Sequence, residues 1–197
     1  TSRLIALSGA PVAETGYVWH LAPDGGACMA LPNGGWVYVS NSEQPEGRGG
    51  AGAIAFDATG TTTAAYPILS GTSTSCSGGM TPWGTYLSGE ENGSIGRVFE
   101  CDPTQLSQGI HRPLLGAFNH EMVAVDPPTG DVYLVEDVPD GRLYRFEPEH
   151  FGDLTAGRLL AARVAANGSV AWEPTSHAAP DRAVEMLRDA GDPAGEL

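Results

Sequence analysis

A repeat of 47 to 48 residues is the feature that most constrains the fold of this chain. Tyr38, Tyr86 and Tyr133 lie 48 and 47 residues apart, and each belongs to a short apolar run that ends in acidic residues. A second, Gly-led run follows each of them, at 52–57, 96–102 and 141–146. Repeats of this length, with two or more short strands in each, are typical of β-propeller blades. The sequence therefore predicts an all-β propeller whose blades bring their acidic strand ends to a similar place.

Alternating apolar residues, rich in β-branched and aromatic side chains, predict a series of short antiparallel strands. Turn sequences such as Pro32-Asn33-Gly34-Gly35 and Asn167-Gly168 separate them. The predicted strands are 27–31, 36–41, 53–57, 62–69, 83–88, 96–101, 121–126, 131–136, 141–146, 159–165 and 169–173, and residues 1–5 also resemble a strand. Residues 181–190 differ, because an acidic start and strong helix formers predict a short helix there.

The length of the chain limits the number of blades. Propellers close with four or more blades, and 197 residues at this period hold roughly four, of which the first and last are incomplete. We expect residues 1–197 to form a single, partial propeller domain. Within it, residues 174–197 are expected to form a loop and the short helix that lead to further blades. The remaining blades would come from a missing segment or from a second chain.

The composition and charge of the chain limit the kinds of molecule that it could bind. The formal net charge is −14, and all ten basic residues are arginines. Such a surface would repel nucleic acid and anionic membranes, and no apolar run approaches the ~18 residues of a membrane span. The excess of acid suits a protein that binds cations, although acidity also serves solubility. The chain has three cysteines, Cys28, Cys76 and Cys101, and this odd number without CxxC spacing argues against a disulfide framework.

The segment from Cys76 to Asn92 carries the strongest local chemistry. We expect a turn at Gly78-Gly79 to lead the chain back through a strand to Glu90 and Glu91, so that a thiolate and a carboxylate meet. Thiolate and carboxylate together suit iron or another transition metal. The alternative is a buried structural cysteine beside a solvated acidic turn.

Other candidate ligands lie at further strand ends. His120 and Glu121 begin a predicted strand, with Glu121 placed to point down the central channel; the alternative is that both only bond locally. Glu136, Asp137 and Asp140 lie within five residues at the end of another strand and are candidates for calcium; the alternative is a solvated acidic loop. Weaker candidates are Glu43, which lacks a comparable set of neighbouring ligands in the sequence, and His20, which more commonly would be a core or rim histidine.

These motifs, in this order, resemble the PhoX-type alkaline phosphatase family. The resemblance rests on Gly16-Tyr17-Val18-Trp19-His20, 23–27, 35–43, the Cys76 to Asn92 segment, His120-Glu121 and 143–146. It implies a six-bladed propeller, of which this chain holds about half to two-thirds of the blades, and a protein exported to the periplasm or the extracellular space. It also implies hydrolysis of phosphate monoesters with Fe³⁺ and Ca²⁺.

The resemblance further assigns residues. Cys76, Glu91 and Glu121 match the iron-ligand positions of the family, and Glu90, Glu136 and Asp137 are the candidates for calcium or supporting roles. A further iron-ligand glutamate and the substrate-holding arginines of the family lie beyond the matching region, so the metal set of this chain is expected to be incomplete. Two alternatives remain open at this point: a non-catalytic, calcium-stabilised extracellular propeller used for scaffolding or adhesion, and a metal-centred propeller hydrolase of another type, such as a lactonase.

Overall fold

Three antiparallel sheets follow one another along the chain, and each is built from strands that are neighbours in sequence. The structure, a computed structural model, describes residues 2–175. The first sheet contains β1 (Pro23–Ala30), β2 (Trp36–Ser42), β3 (Gly49–Phe56) and β4 (Thr62–Thr72). The second contains β5 (Ser75–Met80), β6 (Tyr86–Glu90), β7 (Val98–Cys101) and β8 (Ile110–His111). The third contains β9 (His120–Val125), β10 (Val132–Glu136), β11 (Leu143–Pro148), β12 (Gly157–Val164) and β13 (Val170–Pro174).

The sheets are consecutive blades of a propeller. Each is an up-and-down meander, and its first strand (β1, β5 or β9) is the innermost, because β5 packs against both β1 and β9. The prediction of an all-β propeller is thus confirmed. The described residues form three blades, which agrees with the expected half to two-thirds of a six-bladed ring. Short 3₁₀ turns at Gly93–Ile95 and Pro113–Leu115 are the helical elements of residues 2–175.

Apolar side chains fill the spaces between the blades. Val39, Ile68 and Tyr86 belong to the cluster between the first and second sheets. Leu87 and Phe146 belong to the cluster between the second and third sheets. Burial of such side chains is the main favourable contribution to stacking of the blades.

The outer face of the first sheet is covered by the start of the chain. Val12 and Trp19 are buried there with Ile54, and Ile5 packs against the same cluster. The expectation of a strand at residues 1–5 is wrong, because residues 2–5 form no strand and Ile5 is instead used to cover a sheet face. The predicted helix at 181–190 lies outside the described residues. Within residues 2–175, no helix has the length and apolar character needed to cross a membrane.

The segment around Cys76 folds differently from the expectation. Residues Ser75–Met80 form β5, and the turn comes later, where the Thr81 amide donates to the Thr85 carbonyl. Gly78 and Gly79 lie inside the strand because neighbouring backbone comes very close. A Cβ at Gly78 would lie well under 3.0 Å from the Leu87 carbonyl oxygen, and one at Gly79 would also lie well under 3.0 Å from the Val123 carbonyl oxygen. The two glycines therefore permit close strand approach and do not make a turn.

The repeated tyrosines are not fully equivalent. Tyr38 and Tyr86 lie on the faces of β2 and β6 that point toward the preceding part of the chain. Tyr133 lies one residue out of phase in β10 and contacts Trp172 on the opposite face of its sheet, while Val132 and Leu134 point toward the second blade. Since side chains alternate between the faces of a strand, a shift of one residue exchanges its buried and exposed sides.

Candidate metal centre

The candidate site lies where the three innermost strands begin. Asp24, Cys76 and Glu121 are each the second residue of their strand, in β1, β5 and β9 respectively. Since these strands are neighbours, one side chain from each blade reaches the same end of the channel. The Cys76 Sγ lies 3.5 Å from the Asp24 Oδ2 and 3.4 Å from the Glu121 Oε2.

A β-bulge accompanies each of these three residues. In β5, Ser75 pairs with Glu90 and Gly78 with Ser88, so three steps along β5 match two along β6. The first blade repeats this pattern, with Pro23 paired to Ser42 and Gly26 to Ser40. The third blade inserts one residue at Glu121. Bulges beside functional sites re-aim side chains, and here they occur where the potential ligands project.

A second set of acids follows the second strand of each blade. Glu43, Glu91 and Asp137 occupy equivalent positions, one residue past β2, β6 and β10. The same backbone hydrogen bond fixes all three: their amides donate to the carbonyls of Ala22, Thr74 and Asn119 at 2.9, 2.8 and 3.0 Å. Each blade thus supplies one potential ligand from a bulge and one from a strand end.

The residues form two overlapping groups. Potential ligand atoms of Cys76, Glu91 and Glu121 lie within 4.8 Å of one another, as do those of Asp24, Glu43 and Cys76. The geometry places the three residues assigned to iron by resemblance in one group. It also gives Glu43 close neighbours, contrary to the sequence expectation for this residue. Asp137 interacts with the Glu91 carboxyl at the edge of the first group.

The acidic residues immediately before Glu91 and Asp137 have a different role. Glu90 is fully buried, and its carboxylate accepts bonds from the Arg97 guanidinium at 2.7 and 3.0 Å and from the Ser73 amide at 2.8 Å. Glu136 occupies the equivalent position in the third blade and accepts the Arg142 amide at 3.3 Å. Neither carboxylate belongs to either group of potential ligands. They fix their strands beside the residues that follow them.

The two candidate histidines lie apart from the groups as well. His20 stacks on Trp19 with its Nε2 3.3 Å from the Ser40 Oγ, and burial lowers its pKa to about 4 despite a hydrogen bond to the Asn41 backbone. His120 is fully buried against Phe118, and burial lowers its pKa to about 3. Both rings are therefore neutral near pH 7 and act in packing.

Two residues at the site were missed by the sequence reasoning. Asp24 lies beside Cys76, and aligning Pro23-Asp24-Gly25-Gly26 with Ser75-Cys76-Ser77-Gly78 would have shown that the two are equivalent. Asn119 donates its amide to the Glu91 Oε1 at 3.0 Å and to the Asp137 carbonyl at 2.8 Å. It orients a potential ligand, and no sequence signal distinguished it from other strand-flanking asparagines.

The electrostatics of the site favour a bound cation. Within residues 2–175, no arginine forms an ion pair with Asp24, Glu43, Glu91, Glu121 or Asp137. Burial, reinforced by Asp137 and Glu121, raises the pKa of Glu91 to about 7. Burial, and then the neighbouring Glu121 and Asp24, raise the pKa of the Cys76 thiol. Carboxylates beside one thiol suit a transition metal and calcium, so the side chains present fit such ions.

Cation binding is expected to strengthen as pH rises from 6 to 8. Because of their raised pKa values, the Cys76 thiol and a part of the Glu91 carboxyl are protonated near neutral pH in the metal-free protein, and a cation must displace these protons. The stability of the metal-free fold changes with pH in the opposite direction. A carboxyl whose pKa is raised in the folded state stabilises that fold at low pH, and this contribution is lost as pH rises through about 7. Calorimetric titration with Co²⁺ in buffers of different ionisation enthalpy would measure the protons released. Affinity independent of pH, or unaltered in its pH dependence by Glu91→Gln, would contradict this interpretation.

Comparisons with known proteins identify the family of the chain and agree with its fold. The sequence model of the family described as alkaline phosphatase PhoX matches residues 21–193. The fold is similar to that of the solved structure of Pseudomonas fluorescens PhoX in complex with vanadate, a transition state analogue, with a TM-score of 0.61 and 16% sequence identity. The match covers 79% of this chain and 49% of that chain, so the present chain spans about half of its length. A comparison with curated protein sequences gives no significant match. The chain belongs to the PhoX alkaline phosphatase family.

Proposed function

We propose that this chain provides part of the active site of a phosphatase that hydrolyses phosphate monoesters with Fe³⁺ and Ca²⁺. The observation that carries the proposal is the convergence of the Cys76 thiol with the carboxyls of Glu91 and Glu121, each delivered by a different strand. Family membership supports the reaction class. On this proposal Cys76, Glu91 and Glu121 hold iron. The carboxylate oxygens of Asp24, Glu43 and Asp137, which lie beside them, hold calcium.

On this proposal, residues of this chain bind the ions and orient the side chains that act as ligands. The bulge in β5 aims Cys76 at the channel, and Asn119 holds the Glu91 carboxylate toward Cys76. Glu90 and Glu136 act through the strands they fix and not as ligands. When bound, the cations would neutralise and polarise the phosphoryl oxygens of the substrate. Their charge would also explain how a chain of net charge −14 attracts an anionic ester, because bound ions invert the local field.

The proposal includes further propeller blades, from another segment or a second chain. Two observations support it: the chain spans about half of the solved PhoX chain, and the described residues form three blades. On this proposal those blades would supply the arginines that hold the phosphate.

The test combines metal content with turnover. The full-length protein that carries this chain should bind iron and calcium and hydrolyse p-nitrophenyl phosphate. Glu91→Gln should reduce both by at least about tenfold, whereas Glu173→Gln, a surface change in β13, should reduce neither. A protein with no bound iron, or one whose turnover is the same in Glu91→Gln, would overturn the proposal.

A non-catalytic, calcium-stabilised propeller for scaffolding or adhesion is the second candidate. The observation that favours it is the cluster of carboxylates around Cys76, because carboxylate oxygens also suit a calcium ion with a purely structural role. It would be supported if calcium raised the melting temperature while no phosphate ester was turned over by the full-length protein.

A further inference from the structure

The buried amide of Asn41 connects the first blade to the bulge that carries Cys76. Asn41 lies in β2 and is completely inaccessible to solvent. Its Nδ2 donates to the carbonyl oxygens of Cys76 and Ser77, at 3.2 and 3.0 Å. Its Oδ1 accepts the hydroxyl of Ser88 in β6 at 3.0 Å. A single side chain therefore joins three strands, β2, β5 and β6, directly behind the candidate site.

The two carbonyls that Asn41 binds lie in the interruption of the ladder. Pairing between β5 and β6 is in register at Ser75 and again at Gly78, so Cys76 and Ser77 are the residues between. Carbonyls at a bulge lie outside the regular pairing, and a buried carbonyl without a donor is costly. By donating to both, Asn41 stabilises the backbone conformation that aims the Cys76 Sγ at Asp24 and Glu121.

We infer that Asn41 is a positioning residue for Cys76, acting through the β5 backbone and not as a ligand. Its amide cannot be replaced freely. An aspartate has the same shape but would place a second oxygen against two carbonyl oxygens, and a leucine would offer no donor. The inference rests on the proposed metal centre for its consequence, although the placement of Cys76 by Asn41 can be measured in metal-free protein.

The experiment compares Asn41→Asp with Ser88→Ala in the full chain. Ser88→Ala removes one hydrogen bond from the same amide but leaves both donors to β5, and is the matched control. With Co²⁺ as the probe, we expect Asn41→Asp to weaken binding by about 10- to 100-fold and to reduce the thiolate-to-metal charge-transfer absorption. Ser88→Ala should retain the absorption of the wild type.

Alkylation of the metal-free protein provides the second measurement. Iodoacetamide modification of each cysteine, followed by mass spectrometry, should proceed at least about tenfold faster at Cys76 in Asn41→Asp. Cys101, which is buried in the cluster between the first two sheets, serves as the internal control for general unfolding. If Asn41→Asp does not fold, Asn41→Ser takes its place, with the same expected direction.

Each outcome decides one question. Faster modification of Cys76 with Cys101 unchanged supports the inference. Equal acceleration at both cysteines, or protection of Cys76 as in the wild type, overturns it and leaves Asn41 a general packing residue. If wild-type protein shows no charge-transfer absorption with Co²⁺, the proposed metal centre fails, and the alkylation rates still decide the role of Asn41.

Discussion

Replacing Cys76 with alanine is expected to weaken Co²⁺ binding by at least about 100-fold and to abolish the thiolate-to-metal absorption. Cys76 belongs to both potential ligand groups, so its loss removes a donor from each at once. It is also the soft donor of the site, and the carboxylates that remain prefer hard cations such as calcium. Titration followed by absorption spectroscopy would measure the change, and turnover of p-nitrophenyl phosphate by the full-length protein should fall in parallel.

Cys101→Ala is the matched control for this variant. Both cysteines are buried and neither forms a disulfide, but Cys101 lies in the apolar cluster between the first two sheets. Its replacement should reduce stability slightly and leave the cobalt spectrum as in the wild type. An unchanged spectrum in Cys76→Ala, or the same loss in both variants, would show that Cys76 does not bind the metal.

The second large effect is expected on stability. Gly78→Ala should lower the free energy of unfolding by about 3 kcal/mol, because a Cβ at this position would collide with the Leu87 carbonyl oxygen and force β5 and β6 apart. The Tyr86 hydroxyl, 2.9 Å from this Cβ, is a second close contact, but the atom that collides most severely belongs to the Leu87 backbone, so relief requires backbone movement. Urea denaturation of the metal-free protein would measure the change.

Gly47→Ala separates this collision from the general cost of replacing a glycine. Gly47 has φ of +72° and open space around it, so an alanine there should cost about 1 kcal/mol from backbone strain alone. If both substitutions cost the same, close approach of the strands is not the reason for Gly78. A loss of Co²⁺ binding in Gly78→Ala but not in Gly47→Ala would further connect this strand contact with the metal centre.

The blades and most of their strands were predicted correctly from the sequence because they depend on periodic patterns of residues. Alternation and turn residues placed strands such as 36–41 and 131–136 within one residue of β2 and β10. The repeat indicated blades, and the family motifs brought Cys76, Glu91 and Glu121 together. Local patterns are informative here because each blade is a meander of sequence neighbours.

The same patterns could not show which of two adjacent acidic residues faces the channel. Glu90 and Glu91 look alike in sequence, yet one is buried with Arg97 and the other reaches the channel. The difference depends on strand register, and a shift of one residue reverses which side chain faces inward. The bulges that set this register leave no mark in the alternation of apolar residues.

Asp24 was missed, and the glycine pair at 78 and 79 was misread, for related reasons. A proline at position 23 argues against a strand, but β1 begins with that proline, where the missing amide is tolerated. Gly-Gly is a common turn signal, but here Gly78 allows close approach to β6 of the same blade and Gly79 to β9 of the next. Both cases depend on contacts between distant segments, which local sequence patterns do not contain.

The bulges at the start of β1, β5 and β9 give the centre a modular chemistry. One backbone frame, repeated around the channel axis, presents an aspartate, a cysteine and a glutamate at corresponding positions. The identity of a single residue per blade therefore sets whether that sector offers a hard or a soft donor, without any change in the supporting strands. On the proposed function, the ion preference of the site would therefore follow from three residues, one in each blade.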